Sequence, residues 1–293
     1  MKKFLQYILL IFLLAGFFAP RAEAIKIGLQ IDVQEMVTGT SVKGTISDKY
    51  TGRVICSIDP MVSYRIRAGK DDLEITISGK KYSLNSNAVV IKTNTNGFVC
   101  AKNRWYRGNL IIENRNKTLT VINDVKLEDY LLGVVPSEMP SSWAEEALKA
   151  QAIAARSYAI ANLGKHGSKG FDLKDNTEDQ AYGGASSETS RTNQMVAQTY
   201  GIVITQNKQV IPAFYCASAG GQTKNTGDVW SKDLPYIRSV PSYDGNLKKM
   251  GHGIGMSQHG ANNLAKQGYN AYQILAYYYN NIKFGKLSQK WNL

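Results

Sequence analysis

Glu138 closes the stretch LEDYLLGVVPSEM, Leu127 to Met139, just ahead of the alanine-rich run AEEALKAQAIAARSYAIAN, Ala144 to Asn162. Val134, Val135, Pro136 and Met139 surround it in sequence. Apolar neighbours desolvate a carboxylate and favour its protonated form near neutral pH. A protonated carboxylic acid at a pocket edge suits acid-catalysed cleavage of a glycosidic bond. The plainer reading is a loop glutamate ahead of a helix. A second concentration of chemistry lies at Gly251 to Gly260, GHGIGMSQHG, with His252, Ser257, Gln258 and His259 among four glycines. Its spacing fits neither a serine-hydrolase elbow nor a phosphate loop. The histidines have no spacing that compels a metal site. Ser257 also suits the N-cap of the helix that follows. A third run, FYCASAGGQT from Phe214 to Thr223, ends in small residues around Ser218 and Gly220. Their amides could meet sugar hydroxyls, or the run could be a plain turn.

The elements that must position these groups form an α+β chain. Residues 25–122 alternate in short runs such as Leu73-Glu74-Ile75-Thr76-Ile77, with breaks at Ser78-Gly79 and Asn94 to Gly97, which predicts antiparallel strands. Residues 123–293 read as a mixed α/β core. Leu127 to Leu132 predicts a short helix, and Pro136 and Pro140 predict extended or turn backbone around Glu138. Ser142 with Glu145 predicts a capping box for a long alanine-rich central helix ending near Asn162. Arg156 lies inside that run and needs a carboxylate, carbonyls or an anionic ligand. A helix leading into a strand is expected over Thr189 to Gln206, a strand over Val210 to Tyr215, and helices over Ser257 to Gln267 and Ala271 to Tyr279.

Length and composition bound the rest. Lys2 and Lys3 precede an apolar run from Phe4 to Ala19, and Ala22-Glu23-Ala24 is a small-x-small site. This is the layout of a secretory signal peptide over residues 1–24, or of an N-terminal membrane anchor if it is not cleaved. Export would place the protein outside the cytoplasm, in the cell envelope, periplasm or wall. Its removal would lower the formal charge from +12 to near +10. The basic residues are scattered, which argues for attraction to an acidic polymer or surface and against a nucleic-acid reader. Cys56, Cys100 and Cys216 form no CxxC pair. A Cys56–Cys100 disulfide and three buried thiols both fit.

Several separated segments together resemble the SpoIID/LytB domain family. They are LEDYLLGVVPSEMPSSWAEEALKAQAIAARSYA, EDQAYGG at Glu178 to Gly184, SAGGQT with VW and PYIRSVPSYD, and GHGIGMSQHGANNLAKQGYNAYQILAYYY. RWYRGNLIIE, Arg104 to Glu113, is similar to the strand that leads into the family core. The resemblance covers about Ile25 to Phe284. It implies one of two activities. The sporulation branch consists of lytic transglycosylases acting on peptidoglycan strands stripped of stem peptides, with the SEM glutamate, here Glu138, as catalytic acid. The arginine matching Arg156 is implicated with it. The other branch is named for enhancing a cell-wall amidase. Under this resemblance Gln180, Tyr182, Ser218, Gly220, His252, Ser257 and Gln258 are expected to line the substrate cleft, with no cofactor. Some relatives carry a zinc-binding Cys/His cluster where this chain reads HGSKGFDLKDNTEDQAY, so no metal is expected. The segment from Asp244 to His252 is short for the family, which bears on chain-length preference.

Overall fold

The computed structural model describes residues 24–287, so the signal peptide expected over residues 1–24 lies, apart from Ala24, outside the described residues. Ala24 opens the first strand. The N-terminal part is β-rich. One sheet runs in the order Leu173–Lys174, Ala24–Val33, Thr118–Lys126, Asn109–Arg115, Ala88–Thr93, Gly44–Asp48, Val54–Ile58. A second runs Arg104–Tyr106, Val99–Ala101, Glu35–Thr40, Tyr64–Ala68, Leu73–Ile77, Lys80–Ser83. The alternation read from sequence is visible in Tyr64–Ala68, where Tyr64 and Ile66 are buried and Arg65 and Arg67 exposed. Thr118–Lys126 is instead buried along most of its length, because the helix Leu127–Glu138 and the strands Tyr64–Ala68 and Glu35–Thr40 of the second sheet pack against it. The boundary expected at residue 122 falls inside this strand. Cys56 and Cys100 belong to different sheets, and all three thiols are free, so the Cys56–Cys100 pairing is not formed.

Among the described residues, five α-helices follow or interleave with short strands: α1 Leu127–Glu138, α2 Glu145–Ala161, α3 Ser190–Gln198, α4 Gln258–Lys266 and α5 Ala271–Tyr278. The proline expectation is corrected at α1. The helix runs through Pro136 to Glu138, so Glu138 is helical and ends the last turn. Pro136 lacks an N–H and forfeits one bond, to the Leu132 carbonyl. The turn is retained because Ser137 Oγ donates to Gly133 O at 2.7 Å and Met139 N–H donates to Val135 O at 3.0 Å. Pro140 then forces Met139 into extended backbone, φ −130° and ψ 140°, and stops the helix.

The capping box expected at Ser142 is also corrected. Ala144 is the N-cap of α2 and makes no side-chain bond; its own N–H donates to Asn262 Oδ1 of α4 at 3.0 Å. Glu146 is committed to Lys149 and to the Ala271 N–H. A capping box exists at α5, between Asn270 and Gln273. Along α2, Ala147, Ala150, Ala152, Ala154, Ala155 and Ala159 are buried, and α1, α3, α4 and α5 all pack on this helix. Methyl side chains allow that close approach on several faces at little rotamer cost. The strand expected over Val210 to Tyr215 is two short pieces, Gln209–Val210 and Tyr215–Cys216, because the Pro212 between them cannot donate to a ladder. Tyr215–Cys216 pairs in parallel with Met256–Ser257. That pairing joins the FYCASAGGQT and GHGIGMSQHG segments.

Candidate active site

Glu138 is partly buried where α1 ends. Its Oε1 accepts the Ala181 N–H at 2.7 Å and its Oε2 accepts Gln258 Nε2 at 3.2 Å. The Tyr215 hydroxyl also donates to this carboxylate. Burial raises the Glu138 pKa above the ordinary glutamate value, and the three donors oppose that rise without cancelling it. All three donors are neutral, so no full positive charge pulls the proton off.

Each donor is itself positioned. The Tyr215 hydroxyl accepts Gln180 Nε2 at 2.8 Å, and Gln180 Oε1 accepts the Tyr130 hydroxyl at 3.2 Å. Gln180 Nε2 also reaches Ala155 O of α2 at 3.3 Å. Gln258 is the first residue of α4, and Ser257 is its N-cap, accepting the Gly260 N–H at 3.2 Å. The segment carrying Ala181 lies against α1 because Gly133 has no side chain; a Cβ there would stand 2.6 Å from the Tyr182 ring.

The structure brings Gln258 to Glu138 directly and Gln180 to it through Tyr215; Tyr182 and His252 line the pockets next to these groups, and Ser218, Gly220 and Ser257 gather elsewhere. Tyr182 is buried, with its hydroxyl donating to Asn123 Oδ1 at 2.8 Å and its ring 4.7 Å from that of Tyr130. Ser218, Gly220 and Ser257 converge on a different carboxylate, the buried Asp244, at 3.0, 3.2 and 3.1 Å. The Ala219 and Gly221 amides and the Ser242 hydroxyl complete its shell. The amides read as free for sugar hydroxyls are therefore occupied. Burial works against ionisation of Asp244, but the Ser242, Gly221, Ala219 and Ser218 donors overcome it and hold the pKa down at about 2. His252 Nδ1 accepts the Ile254 N–H at 3.0 Å, and burial lowers its pKa and keeps the ring neutral.

Arg156 is fully buried and makes no bond to Glu138. It forms a fork with Glu128 of α1, at 2.7 and 2.8 Å, and donates to Ile202 O at 3.1 Å. The carboxylate and carbonyl that a buried guanidinium requires are thus both protein groups. Tyr215 and Asp244 were missed by sequence reasoning. Tyr215 had a weak signal, standing next to Cys216 at the start of the small-residue turn. Asp244 had none, since its donors come from segments far apart in the chain.

Two pockets adjoin the residues that hold Glu138, which itself is not among the lining residues of either. One, of about 510 Å³, is lined by Ser137, Ala181, Gly183, Ser186, Arg104 and Asp175. The other, of about 300 Å³, is lined by Tyr215 together with Tyr158, Asp179, Phe214, Trp230 and His252. Ala181 belongs to the first and Tyr215 to the second, and both donate to Glu138. Asp179 is ion-paired with Lys165 at 2.5 Å and bonded to His166, the Lys174 amide and Tyr158. Among the described residues no cluster of His, Cys, Asp and Glu is arranged to hold a metal.

The site is a desolvated carboxylate in a mixed α/β protein, with donors that line two separate pockets. Comparison with known proteins is more specific. Residues 115–206 match the family model described as Stage II sporulation protein, a span that includes Glu138, Arg156 and Gln180. The chain is 46% identical over 107 residues to the amidase enhancer of Bacillus subtilis, covering 36% of this chain and 14% of that protein. It is 35% identical over 136 residues to stage II sporulation protein D of the same organism, covering 41% and 40%. An uncharacterised protein of Brachyspira hyodysenteriae is 38% identical over 137 residues, covering 46% and 37%. These matches support a SpoIID/LytB family assignment. Its matches span less than half the length of each of these relatives.

Proposed function

We propose that this protein is an exported lytic transglycosylase that cleaves the glycan backbone of peptidoglycan, with Glu138 as general acid and then base. The observation that carries the reading is the protonation-prone Glu138, held by three neutral donors, two of which line adjacent pockets. Protonated Glu138 gives its proton to the bridging oxygen as the bond from muramic C1 to that oxygen breaks. The C6 hydroxyl of the same sugar attacks C1, and its proton passes to the Glu138 carboxylate. The product is a 1,6-anhydro sugar, no water is consumed, and the acid is regenerated. Ala181, Tyr215 and Gln258 stabilise the carboxylate during the interval when it has lost its proton.

Hydrolytic glycosidases use a second carboxylate to hold water or attack C1. Here the carboxylates of Asp179 and Asp244 are each saturated by their own partners. An internal C6 nucleophile removes the need for one. Arg156, paired with Glu128, acts in this reading by fixing α1 against α2, and so the position of Glu138.

A second reading is supported by the likeness to the amidase enhancer: a wall-binding activator of an amidase, without turnover of its own. Mass spectrometry of products from intact and amidase-treated sacculi separates the two. The transglycosylase reading expects 1,6-anhydro products from wild type and none from a folded Glu138→Gln protein. Wild-type protein that releases no such product yet accelerates an added amidase would overturn it.

A further inference from the structure

Asp244 is buried and takes no part in the reaction above, yet among the described residues six neutral donors close on it. Its Oδ2 accepts the hydroxyls of Ser218 and Ser257 at 3.0 and 3.1 Å and the amides of Ala219 and Gly220 at 2.6 and 3.2 Å. Its Oδ1 accepts the Gly221 amide at 2.8 Å and the Ser242 hydroxyl at 2.6 Å. Bonds to an ionised acceptor are shorter and stronger than neutral ones, so this carboxylate grips whatever carries its donors. Its own segment is anchored in turn. The Ser242 N–H donates to Gly221 O at 2.9 Å, the Tyr278 hydroxyl of α5 donates to Ser242 O at 2.6 Å, and Asn263 of α4 donates to Tyr243 O at 2.8 Å.

The origin of the donors decides what the cluster can do. Ser257 directly precedes Gln258, whose amide reaches Glu138 Oε2 at 3.2 Å. Residues 218–221 lie just beyond the strand Tyr215–Cys216, whose Tyr215 hydroxyl also donates to Glu138. These segments meet where Tyr215 pairs with Met256 and Cys216 with Ser257, and the His259 N–H donates to Ala217 O at 3.1 Å. A ladder of two residues on each side is short for a strand pair and needs support from outside it. A single carboxylate bonded at the end of both strands supplies that support. We propose that Asp244 is a positioning residue: its carboxylate clamps the ends of these two strands together and thereby aims Tyr215 and Gln258 at Glu138. The assignment rests on the reading of Glu138 as the reacting acid only for its catalytic meaning; the geometry is tested on the Glu138 proton alone. The Gln258 bond stands at the long end of the range for such bonds, so a small displacement of α4 breaks it. Two other roles give different outcomes. A carboxylate acting on Glu138 through its charge would disfavour Glu138 ionisation, so its removal would lower the Glu138 pKa. A purely structural staple would change stability and leave that pKa in place. Loss of aim removes donors that favour the charged form and raises it.

The experiment follows the Glu138 side-chain carboxyl by carbon NMR across a pH titration of the full chain, the signal being assigned by its absence in Glu138→Gln. The hydroxyls of Tyr130, Tyr158 and Tyr215 interact with Glu138, and burial keeps them protonated throughout the range. Asp244→Ala should raise the Glu138 midpoint by about one pH unit, and Asp244→Asn, which keeps an acceptor for Ser257, by less. Should Asp244→Ala fail to fold, Ser257→Gly decides. It removes the bond to Asp244, retains a competent N-cap and leaves the Asp244 charge in place, and it should raise the midpoint by about half a unit. Ile66→Val, in the core of the second sheet, lowers stability away from both segments and should leave the midpoint unchanged. An unchanged or lowered midpoint in Ser257→Gly, or in folded Asp244→Ala, would overturn the assignment. If the midpoint rises while wild-type protein releases no anhydro product from amidase-treated sacculi, the clamp stands and the transglycosylase reading falls. If anhydro product forms and the midpoint does not move, the reverse holds.

Discussion

At the scale of the residue, Glu138 is governed by a balance between burial and three neutral hydrogen bonds. Glu138 also ends α1, at the negative pole of the helix dipole, which disfavours the charged carboxylate. The consequence for stability has a definite sign. Between the ordinary value of 4.5 and the raised folded value, the folded protein retains a proton that the unfolded chain has released. Stability from this group is therefore present below 4.5 and is lost as pH rises through the folded value. Glu138→Gln should remove this loss, and the variant should melt at or above the wild-type temperature at neutral pH, the gap closing below pH 4.5. The Gln258 amide can flip to accept from the new amide, so the substitution need not strand a donor. A Gln variant that becomes less stable relative to wild type as pH rises would contradict the raised pKa. Turnover should follow the protonated acid and decline as pH rises through the same value. Tyr215→Phe removes a donor that favours the charged form, so the alkaline limb of the rate profile should move upward by about one pH unit.

At the scale of the element, α1 and α2 are locked together by the Arg156–Glu128 fork. Arg156→Ala leaves Glu128 without its buried partner and should cost about 3 kcal/mol in denaturant unfolding. Pairing it with Glu128→Gln should recover part of that loss. If Arg156 only fixes the helices, product release by Arg156→Ala should fall no further than the unfolded fraction and a displaced Glu138 explain, and the pH midpoint of turnover should stay in place. A moved midpoint would assign it a direct electrostatic role. Much of this element-level design was legible. The alanine run reads as a close-packing helix, and Ser257 reads as an N-cap because Ser precedes a helical pattern. Pro136 misled because a proline in a last turn breaks one bond only, and Ser137 bonds back to Gly133 nearby. Ser142 misled because tertiary contact with Asn262 satisfies the helix start instead. The Asp244 shell was illegible for another reason: three serines and three amides from separate loops meet one carboxylate, and no local spacing encodes that.

At the scale of the whole molecule, the excess of positive charge favours a polyanionic surface, and that attraction is screened by salt. Pull-down with isolated sacculi should weaken steadily as sodium chloride is raised. Retention that does not change with salt would argue against an electrostatic contribution. The parallel pairing of Tyr215–Cys216 with Met256–Ser257 has a consequence of another kind. Glu138 and Gln258 are 120 residues apart in the chain, and Ala181 and Tyr215 lie between them. A chain emerging amino end first, from a ribosome or a translocation pore, exposes the acid long before the last donor arrives. Glu138 therefore spends most of the chain's emergence without the shell that tunes it. Under the transglycosylase reading, latency during transit is built into the order of the sequence.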